Sequence, residues 1–327
     1  MIKSKSASTS LLATLLVLSC GAQVFAADSK EKKADSTKTE TTDAATKKGD
    51  DAFEANKAGT ALVVKGQFKE AIEKFDEAIR LSPKYGRAYS NRAAAYDGLG
   101  DFKKAIQDAD KAISIRPKMG HAYLNRSWAE NKLGQYKKAL ADADKAIELD
   151  KDNAMAHVNR SHALNKLGRH KESVESANTA LSISPNLPLA YINRSHAYTK
   201  LGEHDKALED ANKAVEIAPN HALAYSNRAH AKMQKGDWQA VLDDCNKAIE
   251  LNPKLGIAYY NRSLAYDKLG KKDPSTDDLK KAADLGVVNS DTKAVAKGTH
   301  EKKSEASGKG EGKDSKNGKD KTSKEKS

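Results

Sequence analysis

Between residues 52 and 289 the apolar positions fall at helical spacing, in blocks that start again every 34 residues. The block 188–221 shows the rule. Tyr191, Ala197 and Tyr198 lie along one stretch, and Ala207, Leu208, Ala211, Ala214 and Val215 along a second. The spacing predicts one helix over 190–201 and another over 204–217. Gly202 parts them, because a tight reversal needs a residue that tolerates positive φ. Pro219 stops the second helix. Ala207, Ala211 and Ala214 have counterparts in most blocks, so the two helices approach closely and pack with few large side chains.

The punctuation repeats without an insertion. Gly66, Gly100, Gly134, Gly168, Gly202, Gly236 and Gly270 are evenly spaced, and Pro83, Pro117, Pro185, Pro219 and Pro253 keep step, with Lys151 and Val287 in the two remaining places. Phasing on these marks predicts seven units: 52–85, 86–119, 120–153, 154–187, 188–221, 222–255 and 256–289. No strand pattern occurs, so the expected class is all-α. The end units depart from the pattern. Lys57 and Ala58 replace an Asn-Arg pair in the first, Lys272 and Ser275 alter the last, and Pro274 suits a helix start. Both are expected to act as solubilising caps, with no further capping helix beyond Val288.

The 34-residue period and the Gly, Ala, Ala, Pro placement resemble the tetratricopeptide repeat family, over 52–289. The resemblance implies a right-handed superhelical solenoid of seven helix-turn-helix repeats, with first helices on the concave face and second helices on the convex face. It also implies stability summed over units and their neighbours, and a protein-binding scaffold without a cofactor.

Composition changes the picture little. Of 327 residues, 31% are charged and only 6% aromatic, which suits stacked hairpins better than one central core. The net charge of +12 arises from 57 basic and 45 acidic residues, so the surface is mixed. Nucleic acid is not an expected partner, since no array of stacking aromatics accompanies the basic residues. Residues 27–51 read as a disordered polar linker and 290–327 as a disordered Lys-rich tail, for neither buries enough apolar surface to offset ordering entropy. A second reading has the tail contacting anionic cell-wall or lipid polymers.

Residues 1–26 read as a secretory signal peptide. Lys3 and Lys5 precede an apolar run over 11–18, and Val24-Phe25-Ala26 presents a cleavage site before Ala27. The run is too short for a permanent span, so a periplasmic or extracellular protein is expected, of bacterial type. A competing reading takes Val17-Leu18-Ser19-Cys20 as a lipoprotein box and tethers the chain to a membrane through Cys20. If Cys20 leaves with the signal, Cys245 has no disulfide partner and reads as a small buried apolar residue.

The candidate surface follows from register. The sixth position is asparagine in six units: Asn91, Asn125, Asn159, Asn193, Asn227 and Asn261. Asparagine is a mediocre helix former, so its repetition inside a helix needs a reason. The resemblance places these amides in the concave groove, where some family members, such as the repeat region of O-GlcNAc transferase, use them to hold the backbone of an extended peptide. The alternative is that each amide bonds the neighbouring unit, or is simply inherited by duplication. The next position is Arg92, Arg126, Arg160, Arg194, Arg228 and Arg262, expected to pair with second-helix acids such as Asp108, Asp142, Asp210 and Asp244.

Family topology also places Trp128, His162, His196 and His230 on the concave side, with Lys132, Lys166 and Lys200 one turn along. That groove would favour acidic or polar peptides, with pH sensitivity through the histidines. A metal site is not expected, because successive first helices stand about 8–10 Å apart. The uniform sixth-position asparagine also argues against the two-carboxylate clamp of chaperone-binding relatives. Four Asn-Arg-Ser tripeptides match the glycosylation acceptor pattern, and glycans there would block the groove, which favours bacterial export. No catalytic constellation or phosphate loop stands apart from the repeat, so no enzyme is expected. The residues and the resemblance together point to a protein-interaction scaffold. Its alternative is capture of an acidic polymer, such as an exported polysaccharide or cell-wall fragment, and weak self-association through the end units is a third reading.

Overall fold

The computed structural model describes residues 43–289 and 291–293. The signal segment with Cys20 and both distal tails lie outside the described residues. The described chain is a file of fourteen helices: α1 (Asp43–Val64), α2 (Phe68–Leu81), α3 (Gly86–Leu99), α4 (Phe102–Ile115), α5 (Gly120–Lys132), α6 (Tyr136–Leu149), α7 (Ala154–Lys166), α8 (His170–Ile183), α9 (Pro188–Leu201), α10 (His204–Ile217), α11 (Ala222–Met233), α12 (Trp238–Leu251), α13 (Gly256–Lys268) and α14 (Lys272–Asp284). No strand occurs among the described residues.

Odd-numbered helices open the hairpins and even-numbered helices close them. Each opening helix packs on its own partner, on the closing helix before it, and on the opening helices of the adjacent hairpins, whereas successive closing helices make no comparable contact. A stack whose opening helices touch and whose closing helices splay must curve, with the opening helices inside. The all-α solenoid is therefore as expected.

The hairpins close for local reasons. Gly100 ends α3 at φ 80°, and its N–H reaches the carbonyls of Asp97 and Tyr96. A side chain there would strain the backbone. Alanines at the helix contacts are fully enclosed, as Ala105, Ala109 and Ala112 are on α4. Serine joins them: Ser127 Oγ donates to the Ala139 carbonyl at 2.7 Å, and Ser195 Oγ to the Ala207 carbonyl at 2.7 Å, stapling α5 to α6 and α9 to α10. The first hairpin is built differently, around Phe68 and Phe75. Gly59 and Gly98 make room for those rings. A Cβ on Gly98 would stand 2.5 Å from Phe68 Cε1.

Both ends correct the expected boundaries. α1 starts at Asp43, inside the stretch 27–51 expected to be a disordered linker. Its later part is pinned by the buried Ala52, Ala55 and Asn56. Once that turn is nucleated, propagation outward is cheap, even through the exposed Lys47-Lys48-Gly49-Asp50-Asp51. At the other end residues 291–293 are helical, inside the tail 290–327 expected to be disordered. Asn289 Oδ1 accepts from the N–H groups of Asp291 and Thr292 at 3.0 and 2.9 Å, and Thr292 Oγ1 accepts from the Asn289 N–H at 3.0 Å. This reciprocal cap starts a helical turn that covers the last hairpin. Thr292 is buried, and the Tyr260 hydroxyl donates to Asp291 at 2.9 Å.

Candidate functional site

The asparagine row bonds from unit to unit. Asn125 Nδ2 donates to the Ser90 carbonyl at 2.9 Å, Asn159 to Leu124 at 3.2 Å, Asn193 to Val158 at 3.1 Å and Asn261 to Ser226 at 3.1 Å. In each case the acceptor lies one hairpin back on the adjacent opening helix. Asn227 reaches the Ser195 hydroxyl at 2.9 Å instead. At the degenerate first unit Asn91 finds Asn56 Oδ1 at 2.9 Å, so Asn56 serves where Lys57 breaks the pattern. A second row runs the other way: Asn131 donates to the Asn159 carbonyl at 3.1 Å and Asn165 to the Asn193 carbonyl at 2.7 Å. Asn159 Oδ1 is enclosed and has no hydrogen-bond partner. These amides therefore fix the spacing of the opening helices.

The arginines clamp the hairpins. Arg126 grips Asp142 through Nε and Nη2 at 2.6 and 2.8 Å, and its third nitrogen reaches back to Asp110 at 2.5 Å. Arg92, Arg194, Arg228 and Arg262 hold Asp108, Asp210, Asp244 and Asp278 the same way. A bidentate fork on a nearly buried carboxylate is the strong form of this pair, and it raises the arginine above its already high ordinary value. Arg160 is the exception. Ser176 stands where the others have aspartate, so Arg160 has only that hydroxyl at 2.5 Å and the half-exposed Asp144.

The remaining row runs along the hairpin-turn side of the inner face. Lys132 Nζ lies 4.2 Å from the centre of the Trp128 ring. His162 meets Tyr136, the first residue of α6, at 6.3 Å between ring centres. His196 lies between His170, the first residue of α8, at 6.4 Å and His230 at 6.2 Å. Lys132, Lys166 and Lys200 are exposed, and none of the three forms an ion pair among the described residues.

This row is short of protons. Burial, with Lys166 and Lys132 nearby, brings His162 down to about 4. Burial, then His230, Lys166 and Lys200, brings His196 down to about 3. Two charges some 6 Å apart would repel by about 3 kcal/mol at an effective dielectric of 20. His230 is lowered by burial and Lys200, and its Nε2 is enclosed with no hydrogen-bond partner. His221, the residue before α11, falls to about 4 through burial and Lys132. Lys132 keeps an exposed surface but is closely surrounded, and that desolvation lowers it, while burial lifts Asp97 well above the ordinary carboxylate range; each is partly offset by the other's charge. Among the described residues no three His, Cys, Asp or Glu side chains are grouped to hold a metal. Cys245 is buried, and burial pushes its thiol up to about 12, which leaves it protonated and inert.

Family models for the TPR repeat and the tetratricopeptide repeat match 59–100, 86–119, 124–188, 188–221, 222–255 and 257–285. The chain belongs to the tetratricopeptide repeat family. Its fold is similar to that of a tetratricopeptide repeat protein from Parabacteroides merdae, 20% identical, with 77% of this chain and 99% of that one covered and a TM-score of 0.59. It is also similar to the Cut9–Hcn1 hetero-tetramer of the APC/C, 12% identical, TM-score 0.61, with 73% of this chain covered. The chain spans 49% of that longer protein. No curated protein matches it.

As a tetratricopeptide array, the protein has the fold of a protein-interaction scaffold, a class that is generally non-enzymatic. Within that fold the structure brings together Trp128, His162, His196, His230 and the three lysines, and it ties the six asparagines to neighbouring hairpins. Sequence reasoning missed Asp97, Tyr136, His170 and His221. Tyr136 and His170 open closing helices in successive units, a registered position whose meaning depends on what the previous turn places beside it. The four Asn-Arg-Ser tripeptides lie inside helices with their serines enclosed.

Proposed function

We propose that this protein is a non-enzymatic scaffold that holds a segment of a partner polypeptide along the inner face of its opening helices. The observation that carries the reading is the row of exposed, unpaired Lys132, Lys166 and Lys200 beside Trp128 and the neutral histidines. Like charges in register, with no ion pair at any of them and only Asp97 bearing on Lys132, suit an anionic or polar partner. The asparagines support the groove by fixing its pitch. Export is part of the same proposal: the charged start, apolar run and small-residue cleavage site at the N-terminus support a periplasmic or extracellular location, with a lipid tether at Cys20 as the alternative. Among the described residues no helix is long and apolar enough to cross a membrane.

A photo-crosslinking residue placed at Lys166, and separately at Lys213 on α10, tests the reading in an envelope extract. An identified protein crosslinked from Lys166 and not from Lys213 supports the groove. Equal crosslinking from both positions, or none from Lys166, rejects it. The unpaired lysines also favour a second reading, capture of an acidic polysaccharide or cell-wall fragment. Salt separates the two: pairing through exposed lysines alone collapses at high ionic strength, and hydrogen bonds to a peptide fade less.

A further inference from the structure

We infer that the hairpin-turn side of the groove is a proton-coupled docking surface for an acidic polypeptide segment, whose carboxylates align with Lys132, Lys166 and Lys200 while His196 and His230 take up protons from solvent. The inference rests on the proposed binding of a partner chain in the groove, and it names that chain's chemistry.

The geometry supplies two parts. The first is the lysine row, one exposed ammonium per hairpin on α5, α7 and α9. The second is the imidazole row, with His196 centred 6.4 Å from His170 and 6.2 Å from His230. The charged groups bearing on His196 are Lys166 on α7, His170 on α8, Lys200 on its own helix and His230 on α11. Those bearing on His230 are His196 and Lys200. For His162 they are Lys132 and Lys166, with a hydrogen bond to Asn193 and the ring of Tyr136 beside it. His170 senses Lys200 and contacts Asn165. Apart from the neutral Tyr136, every one of these titratable neighbours is a cation or becomes one on protonation; the one acid bearing on these lysines, Asp97 beside Lys132, is itself pushed toward its protonated form by burial. A proton on any imidazole therefore adds to like charge and is rejected. A line of carboxylates along the lysines reverses the sign of that field, and the same imidazoles then become bases. His230 Nε2, enclosed without a hydrogen-bond partner, is a ring nitrogen ready to carry such a proton.

Spacing selects the polymer. Opening helices in contact stand about 8–10 Å apart, and an extended polypeptide rises about 3.3 Å per residue. Carboxylates at every third residue meet successive lysines. A uronic-acid homopolymer carries a carboxylate on every sugar and leaves every second one without a partner.

The test uses the full chain and a synthetic peptide of about twelve residues with aspartate at every third position, beside its asparagine counterpart. Aspartate stays ionised at about pH 5.5, so the peptide's own charge does not vary. The aspartate peptide is expected to bind, the asparagine peptide not, with affinity about tenfold tighter at about pH 5.5 than at about pH 7.5. Calorimetry in buffers of different ionisation heat should show net proton uptake. The variant H196Q/H230Q should lose the pH slope and the proton uptake, whatever its affinity at neutral pH. If that pair does not fold by circular dichroism, H196Q alone must halve the uptake. K132Q/K166Q/K200Q should lose binding of the aspartate peptide at both pH values. Binding that is flat with pH, or a slope that survives in the histidine variants, overturns the proton coupling. Polygalacturonate binding in place of the peptide overturns the polymer class. Should no probe bind while Lys166 still crosslinks an identified protein, the inference fails and the proposed function stands. If that crosslinking fails as well, both fall.

Discussion

Arg194 on α9 holds Asp210 on α10 with Nε and Nη2, both at 2.7 Å, while its third nitrogen reaches back to Asn178 on α8 at 2.7 Å. One guanidinium thus closes its own hairpin and ties it to the one before. The carboxylate is nearly buried and the partner beyond the hairpin is not, so the two attachments differ in weight.

That asymmetry yields a contrast. Arg194→Met strands Asp210 in a buried site and should cost about 3–5 kcal/mol. Arg160→Met strands only the Ser176 hydroxyl and the half-exposed Asp144, and should cost about 1 kcal/mol or less. Urea unfolding of both variants measures the difference, and equal losses would show that the buried fork carries no special weight.

The asparagine row makes a separate prediction. N159A/N193A/N227A removes inter-hairpin bonds of 2.9–3.2 Å. At about 0.5–1.5 kcal/mol each, the summed loss is about 1.5–4.5 kcal/mol, seen as an earlier midpoint and a broader, less cooperative transition. Unchanged stability together with lost partner capture would place the amides on the ligand instead.

Two helical glycines, Gly98 near the end of α3 and Gly120 at the start of α5, should respond differently to a methyl group. Gly98→Ala gains up to about 1 kcal/mol of helix propensity, but its Cβ would stand 2.5 Å from the enclosed Phe68 ring, and overpacking costs about 1–3 kcal/mol. Gly120→Ala meets nothing nearer than 3.6 Å, so it should be neutral or stabilising by up to about 1 kcal/mol. Thermal melts of the two single variants check the signs.

Acid should loosen the array in a defined window. The folded values of His162 and His221 lie near 4 and that of His196 near 3, all below the ordinary 6.5. Between those limits the unfolded chain binds more protons than the folded one. Stability contributed by the neutral imidazoles is therefore complete above pH 6.5 and lost as pH falls toward 4 and 3, at about 1.4 kcal/mol per pH unit for each histidine. Melting temperature followed across that range should fall, and His196→Gln should reduce the slope. A slope unchanged in the variant would assign the acid loss to other groups.

The repeat, the hairpins, the phase of each unit and the Asn-Arg pairs at a shared position were all legible in the sequence. Each depends on chain-local geometry or on register against an identical neighbour, and a period of 34 residues carries that information from one unit to the next. Serine at 176 in place of aspartate is equally visible, though only the fork on Asp142 or Asp210 shows what Arg160 lacks. The tertiary structure decided where each group finds its partner. It sent the Asn159 amide to the Leu124 carbonyl, brought His170 beside His196, and started α1 at Asp43 and a final helical turn at 291–293 in stretches whose composition reads as disordered. The physical reason is range. Helix and turn preferences act within a few residues, but a hydrogen bond requires two atoms within about 3 Å, and a histidine's affinity for protons depends on the charges the fold sets around it.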